Sequence, residues 1–277
     1  MHRIATPNPA TNGRSRGPSR QFRALYAAGR NAVVQHHRLP RWVALRPAGA
    51  PLAGTVASVP SLLRDYPVPL PWSEELLNAL LHGAGALVGL WGGVQLVHSA
   101  QAMNQPGLAT GCAVYTATLV ATFLCSFCSH LIHQPHWRHL FRILDQACIF
   151  LLIAGSCTPY FLKYLTGGPL EWVLPAMWAV AVAGFWSKLR GQSVNRIFLP
   201  IYLGLGWFPV IAFPSLAAHF TAGCWTLIAL AGLGYSGGTW FLMNDHRRPY
   251  FHAAWHLCVL FAASCNHAAM ARYVVQP

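Results

Sequence analysis

Beyond residue 75 the chain alternates long, continuous apolar stretches with short polar links. Windows of about 20 residues, the length a helix needs to cross a hydrocarbon core, place seven such stretches at residues 76–100, 108–133, 140–165, 170–187, 197–213, 216–243 and 251–275. The apolar runs are unbroken rather than alternating, which excludes the period-two pattern of a barrel strand. Backbone N–H and C=O groups in lipid need partners inside their own segment, so each stretch is expected to be helical. The fourth and fifth are short and carry Pro175, Pro200 and Pro209, while the sixth is long enough to tilt or to begin in the interface. The pattern predicts an all-α integral membrane protein, a seven-transmembrane helix bundle over residues 74–275.

Composition strengthens that reading. Of 277 residues, 55% are hydrophobic and 9% are charged, against about 25% charged in a soluble domain. The formal charge of +13 would suit a nucleic-acid binder, but its distribution excludes that class. Arg138, Arg142, Lys188, Arg190, Arg196, Arg247 and Arg248 fall in the links after the second, fourth and sixth stretches, whereas the opposite links hold Lys163 and Arg272. The positive-inside rule therefore puts the N-terminus in the cytosol and the C-terminus outside, the parity that seven spans require. A multi-pass protein of the plasma (inner) membrane is expected.

Residues 1–70 differ in character. They carry ten arginines, from Arg3 to Arg64, no acidic residue before Asp65, and much Pro, Ser and Gly. They read as a disordered basic arm that touches anionic lipid. An organelle transit peptide, with an organelle membrane as destination, and an upstream start are the alternatives. The eight cysteines all fall within the proposed spans, which argues against an extracellular disulfide framework. Cys125 and Cys128 form a C-x-x-C one helical turn apart, but without the soluble redox context that gives this motif its chemistry.

Ionisable groups within membrane segments usually pair or bind something. His252 and His256 start the last stretch at i and i+4, on one helical face, with Cβ atoms about 5–6 Å apart. Two imidazoles so placed can reach one Zn²⁺ at about 2.0–2.1 Å; taken alone, the pair equally suits two interfacial histidines. His130 lies near the cytosolic end of the second stretch, with Ser126 at i−4 on the same face, and Asp145 lies in the first turns of the third. At about 1.5 Å rise per residue, these groups share a slab roughly 10 Å deep at one membrane face. Three histidines with an open position form the ligand set of a catalytic zinc site. An ion pair with Arg142 or Arg138 is the alternative for Asp145, and helix packing is the alternative for Ser126.

The chain resembles the progestin and adiponectin receptor family, in its bacterial hemolysin III-like branch, over residues 74–275. Glu75-x-x-Asn78-x-x-x-His82 is similar to the family's opening motif, and Ser126-x-x-x-His130 to the motif of its second helix. Leu144-Asp145, Leu152-Ile153-Ala154-Gly155 and Thr158-Pro159 resemble its third-helix signature. Trp207 after Gly206, Tyr235 three before Gly238, and His252-x-x-x-His256 complete the pattern. The resemblance implies seven helices, zinc held by His130, His252 and His256, and Asp145 beside a metal-bound water. It also implies kinship with a wider group of membrane hydrolases that includes alkaline ceramidases. Gln146 departs from the pattern, standing where bacterial relatives usually have His, as does Ser156-Cys157 ahead of Thr158-Pro159.

The expected function is metal-dependent hydrolysis of a lipid amide or ester, of sphingolipid-like or other acyl type. Zinc-activated water would be the nucleophile, Asp145 the general base and then acid, and Ser126 a hydrogen-bond donor to the water or the oxyanion. A membrane receptor or membrane-state sensor with a structural zinc is the alternative, and a haemolysin-like protein the third reading. No row of charges along a single span marks an aqueous path. His82 lies near the same face, as either a supporting or a packing residue. His133, His136 and His139 continue a three-residue spacing into the link and read as solvated. His267, over about 15 Å deeper by helical rise, reads as a core histidine. Trp72, Trp137, Trp172 and Trp186 fit interfacial belts.

Overall fold

Each of the seven apolar stretches is helical in the computed structural model, which describes residues 70–190 and 195–276. The basic arm lies outside the described residues. The helices are α1 (Trp72–Ala102), α2 (Pro106–Leu131), α3 (Pro135–Tyr164), α4 (Val173–Leu189), α5 (Asn195–Trp207), α6 (Phe213–Ala217), α7 (Ala222–Met243) and α8 (Phe251–Ala269). A 3-10 turn over Phe208–Ala212 joins α5 to α6, and a π turn over Met270–Val274 extends α8. Five helical runs are long and apolar enough to cross a membrane: α1, α2, α3, Phe198–Ala217 and α7. Helix α4 is apolar but shorter, at 17 residues. This is an all-α membrane bundle.

Local chemistry sets the boundaries. Pro106 and Pro135 open α2 and α3 in the first turn, where the missing N–H costs nothing and the fixed φ is already helical. Pro135 also explains why α2 ends at Leu131 rather than 133. Ile132 and Gln134 turn extended, since the residue ahead of a proline is pushed out of the α region. Helix α3 correspondingly starts five residues before the expected 140. The sixth stretch is shorter than its hydropathy implied, because Leu216 belongs to α6. Helix α7 begins only at Ala222, after the Thr221 side chain accepts the Cys224 N–H as an N-cap.

The core runs along the α2–α3 interface, where Tyr115, Leu119 and Phe123 are buried with Phe150 and Ala154, and continues onto α8 at Val259 and Ala263. Outward positions such as Leu80, Leu87 and Trp91 are exposed, as expected where lipid tails are the solvent. The four tryptophans assigned to interfacial belts are also exposed. Small residues let the central helices approach closely. A Cβ at Gly111 would stand 2.9 Å from the Pro159 Cα, and one at Gly155 would overlap the Thr118 hydroxyl. Backbone cannot yield as a side chain can. Gly111→Val is therefore expected to cost about 1–3 kcal/mol by overpacking. Gly107→Val, with nothing within 4 Å of the new Cβ, should leave stability close to wild type. Thermal unfolding in detergent compares the two; equal midpoints would contradict the packing.

At one end of the bundle the start of α1 gathers its neighbours. Tyr250, in the left-handed region at φ 62, precedes α8 and donates its N–H to Glu74 Oε2 at 2.8 Å. The next residue, Glu75, reaches α2 and α3. The candidate site lies at this end.

Candidate metal centre

Four helices bring the site residues together. Helix α2 carries Ser126 and His130 in its last turns, α3 carries Asp145, and α8 carries His252 and His256 in its first two turns. Glu75, Asn78 and His82, at i, i+3 and i+7, put one face of α1 against them, and all three are buried.

His130, His252 and His256 each offer a ligand atom within 4.8 Å of the others, the one such group of three or more His, Cys, Asp or Glu among the described residues. Their ring centroids are 5.1, 5.1 and 4.6 Å apart. The Nε2 atoms of His130 and His256 face each other at 3.1 Å. Two nitrogens bound to one tetrahedral ion at about 2.0–2.1 Å would lie about 3.3 Å apart. The donor set therefore fits a metal with little movement. Such a set suits zinc and other imidazole-binding metals.

The opposite ring nitrogens strengthen the fit. His130 Nδ1 lies 2.7 Å from Glu75 Oε2, and His252 Nδ1 lies 3.1 Å from Asp245 Oδ2. A carboxylate on Nδ1–H fixes the tautomer that presents Nε2, the usual support of a metal-bound histidine. Glu75 Oε1 in turn accepts from Arg138, from the Leu70 N–H at 3.1 Å, and pairs with Arg142 at 3.5 Å. Arg138 and Arg142 thus both pair with Glu75, and Arg142 is also within electrostatic reach of Asp145.

Asp145 is half-buried and lies within electrostatic reach of Ser126, His252 and Arg142. Ser126 is fully buried and its hydroxyl meets no partner at normal hydrogen-bond geometry, although the Asp145 carboxyl is close enough to interact with it. His82 belongs to the same cluster. Its ring stands edge-on to His256 at 3.8 Å, and neither of its nitrogens has a hydrogen-bond partner. Both polar atoms of the Asn78 side chain and Nδ1 of His256 are likewise buried without partners. Orphaned polar atoms are costly away from water, and a polar occupant of this space would relieve that cost.

Other expected positions stand apart. His133 packs on Trp72 at 4.7 Å and His136 on Trp137 at 5.7 Å. His267 is 6.3 Å from Tyr115, close to Gly92 of α1. Cys125 and Cys128 are free thiols, and Cys125 interacts with Cys148 of α3. Gln146 turns away from the centre: its Oε1 accepts from Lys188 Nζ and its carbonyl from the Tyr202 hydroxyl, both at 2.8 Å. The roles of Glu75 and Asp245 were not read from the sequence. The signal was scarcity, since the chain has six acidic residues, and Glu75, Asp145 and Asp245 all gather at this centre.

Comparison with known proteins follows the same boundaries. The sequence model of the Haemolysin-III related family matches residues 70–267. Hemolysin-3 of Bacillus cereus is 32% identical over 206 residues, which is 73% of this chain and 92% of that protein. The Hemolysin-3 homolog of Bacillus subtilis is 29% identical over 206 residues, 73% and 95% of the two chains. The human monocyte to macrophage differentiation factor is 30% identical over 171 residues, 58% of this chain and 69% of that one. No solved structure matches.

Proposed function

The chain belongs to the haemolysin-III-related family, and on that premise we propose that it is a zinc-dependent hydrolase of an amide or ester bond in a membrane lipid. The observation that carries this reading is the convergence of three histidines on one point, with the Asp145 carboxyl beside them. His130, His252 and His256 would hold the metal. When bound there, zinc supplies Lewis acidity, polarising a carbonyl and making water nucleophilic at neutral pH.

The remaining roles belong to the chain's own side chains. Asp145 orients the attacking water, accepts its proton and returns it to the leaving amine or alcohol. Ser126 donates its hydroxyl hydrogen to the oxygen on which negative charge develops. The acyl chain of the substrate lies among the apolar helices. The excess of arginine and lysine at this end of the bundle supports a cytosol-facing site in the plasma (inner) membrane.

A membrane-state sensor with a structural metal is the second reading. It is favoured by His82, an unpartnered fourth imidazole beside His256. Lipid hydrolysis separates the two. Purified protein in mixed micelles is offered a panel of N-acyl amides and acyl esters, and fatty acid release is measured before chelation, after it, and after zinc is restored. Release that disappears and returns supports the hydrolase. Full metal loading with no release across the panel would favour the sensor.

A further inference from the structure

We propose that Glu75 is the positioning residue of the metal centre: its carboxylate fixes the orientation and tautomer of His130, and so sets metal affinity from a helix that supplies no ligand. The inference rests on the three-histidine reading but not on hydrolysis. Glu75 is 2% exposed, and its two oxygens face different partners. Oε2 takes the His130 Nδ1–H at 2.7 Å, while Oε1 takes Arg138 and Arg142 of α3 and the Leu70 N–H. One buried carboxylate therefore ties α1 to the end of α2 and the start of α3.

The bond to His130 decides what that imidazole can do. With the proton held on Nδ1, the lone pair is on Nε2, the atom that faces His256 Nε2 at 3.1 Å. Without Glu75, the neutral ring is free to carry its proton on Nε2, which blocks the ligand atom. The two arginines balance the charge, so an anion can remain buried at full strength as an acceptor; an unpaired buried carboxylate would be costly. Asp245 holds His252 in the same way but at 3.1 Å, with a side chain 35% exposed. Solvent competes there, so Asp245 has the smaller effect.

The test is zinc affinity by chelator competition, alongside the visible d–d spectrum of the cobalt(II)-loaded protein. Partners of metal-bound histidines typically change affinity by about 10–100-fold. Glu75→Gln is expected to weaken zinc binding by that factor and to shift the cobalt bands. Arg142→Met, which removes the longer contact of Oε1 to α3 and leaves Arg138 to balance the carboxylate on His130, should lower the unfolding temperature while affinity stays within a few-fold of wild type. Should Glu75→Gln fail to fold, Glu75→Asp tests the same point by withdrawing the charge one methylene. It too should weaken zinc at least several-fold. Wild-type affinity and an unshifted cobalt spectrum in a folded Glu75 variant would overturn the proposal. So would equal losses of affinity in the glutamate and arginine variants, since a mere staple between helices predicts them. A wild-type protein that binds no zinc would overturn this inference together with the three-histidine reading. Zinc binding without lipid hydrolysis would sink only the hydrolase.

Discussion

His252→Ala/His256→Ala is expected to reduce the metal content of the purified protein to background while the helices remain. The two side chains leave α8 one turn apart and supply two of the three nitrogens that converge on the centre. One imidazole cannot retain an ion against buffer and chelator when the site was built for three. Elemental analysis by mass spectrometry after gel filtration measures the loss, and circular dichroism checks the helices. Stability should follow the same pattern. A ligand present at 1,000 times its dissociation constant adds about 4 kcal/mol to the folded state, so added zinc should raise the wild-type unfolding temperature and leave the double variant unmoved. Wild-type metal content in the double variant would place the metal elsewhere and end the three-histidine reading.

Asp145→Asn is expected to have the opposite signature: metal retained, hydrolysis lost. Asparagine keeps the size and one acceptor oxygen of aspartate, and Asp145 is not among the three converging histidines. What it cannot do is accept a proton. General acid–base groups contribute about 10²–10⁴-fold to rate, so lipid hydrolysis should fall by that factor at unchanged zinc content and thermal stability. Loss of metal from Asp145→Asn would make the residue a ligand or a structural anchor. Full hydrolysis in a metal-loaded Asp145→Asn protein would remove it from the chemistry and direct attention to His82, whose ring packs against His256.

The helices and the three histidines were legible for different reasons. A membrane helix satisfies its own backbone, so length and hydropathy are sufficient to locate it, and the seven stretches all reappear as helix. Boundaries were less legible because they depend on single residues. Pro135 moved the junction between α2 and α3, and the Thr221 cap cut the sixth stretch short. His252 and His256 were readable because i and i+4 share a face in any helix, and His130 because its place near the end of a span fixed its depth.

Lateral neighbours are another matter. Depth along a helix follows from counting residues, but which side chain meets which depends on how each helix is rotated about its axis, and long-range packing sets that rotation. Glu75 illustrates the difference. Its place in the first turn of α1 was visible, yet its contact with His130, 55 positions away, exists only because both faces turn inward. Asp245 is a link residue whose reach to His252 depends on the turn that ends in the left-handed Tyr250. His82 meets His256 only because α8 turns that residue toward α1. The sequence by itself thus determined the helices, the membrane and the depth of the histidines, because those depend on local periodicity and on transfer from water to lipid. Only the tertiary structure decided which carboxylate supports which histidine and that Arg138 and Arg142 reach Glu75, because hydrogen bonds and ion pairs between distant segments act over a few ångströms and exist only once the helices have packed.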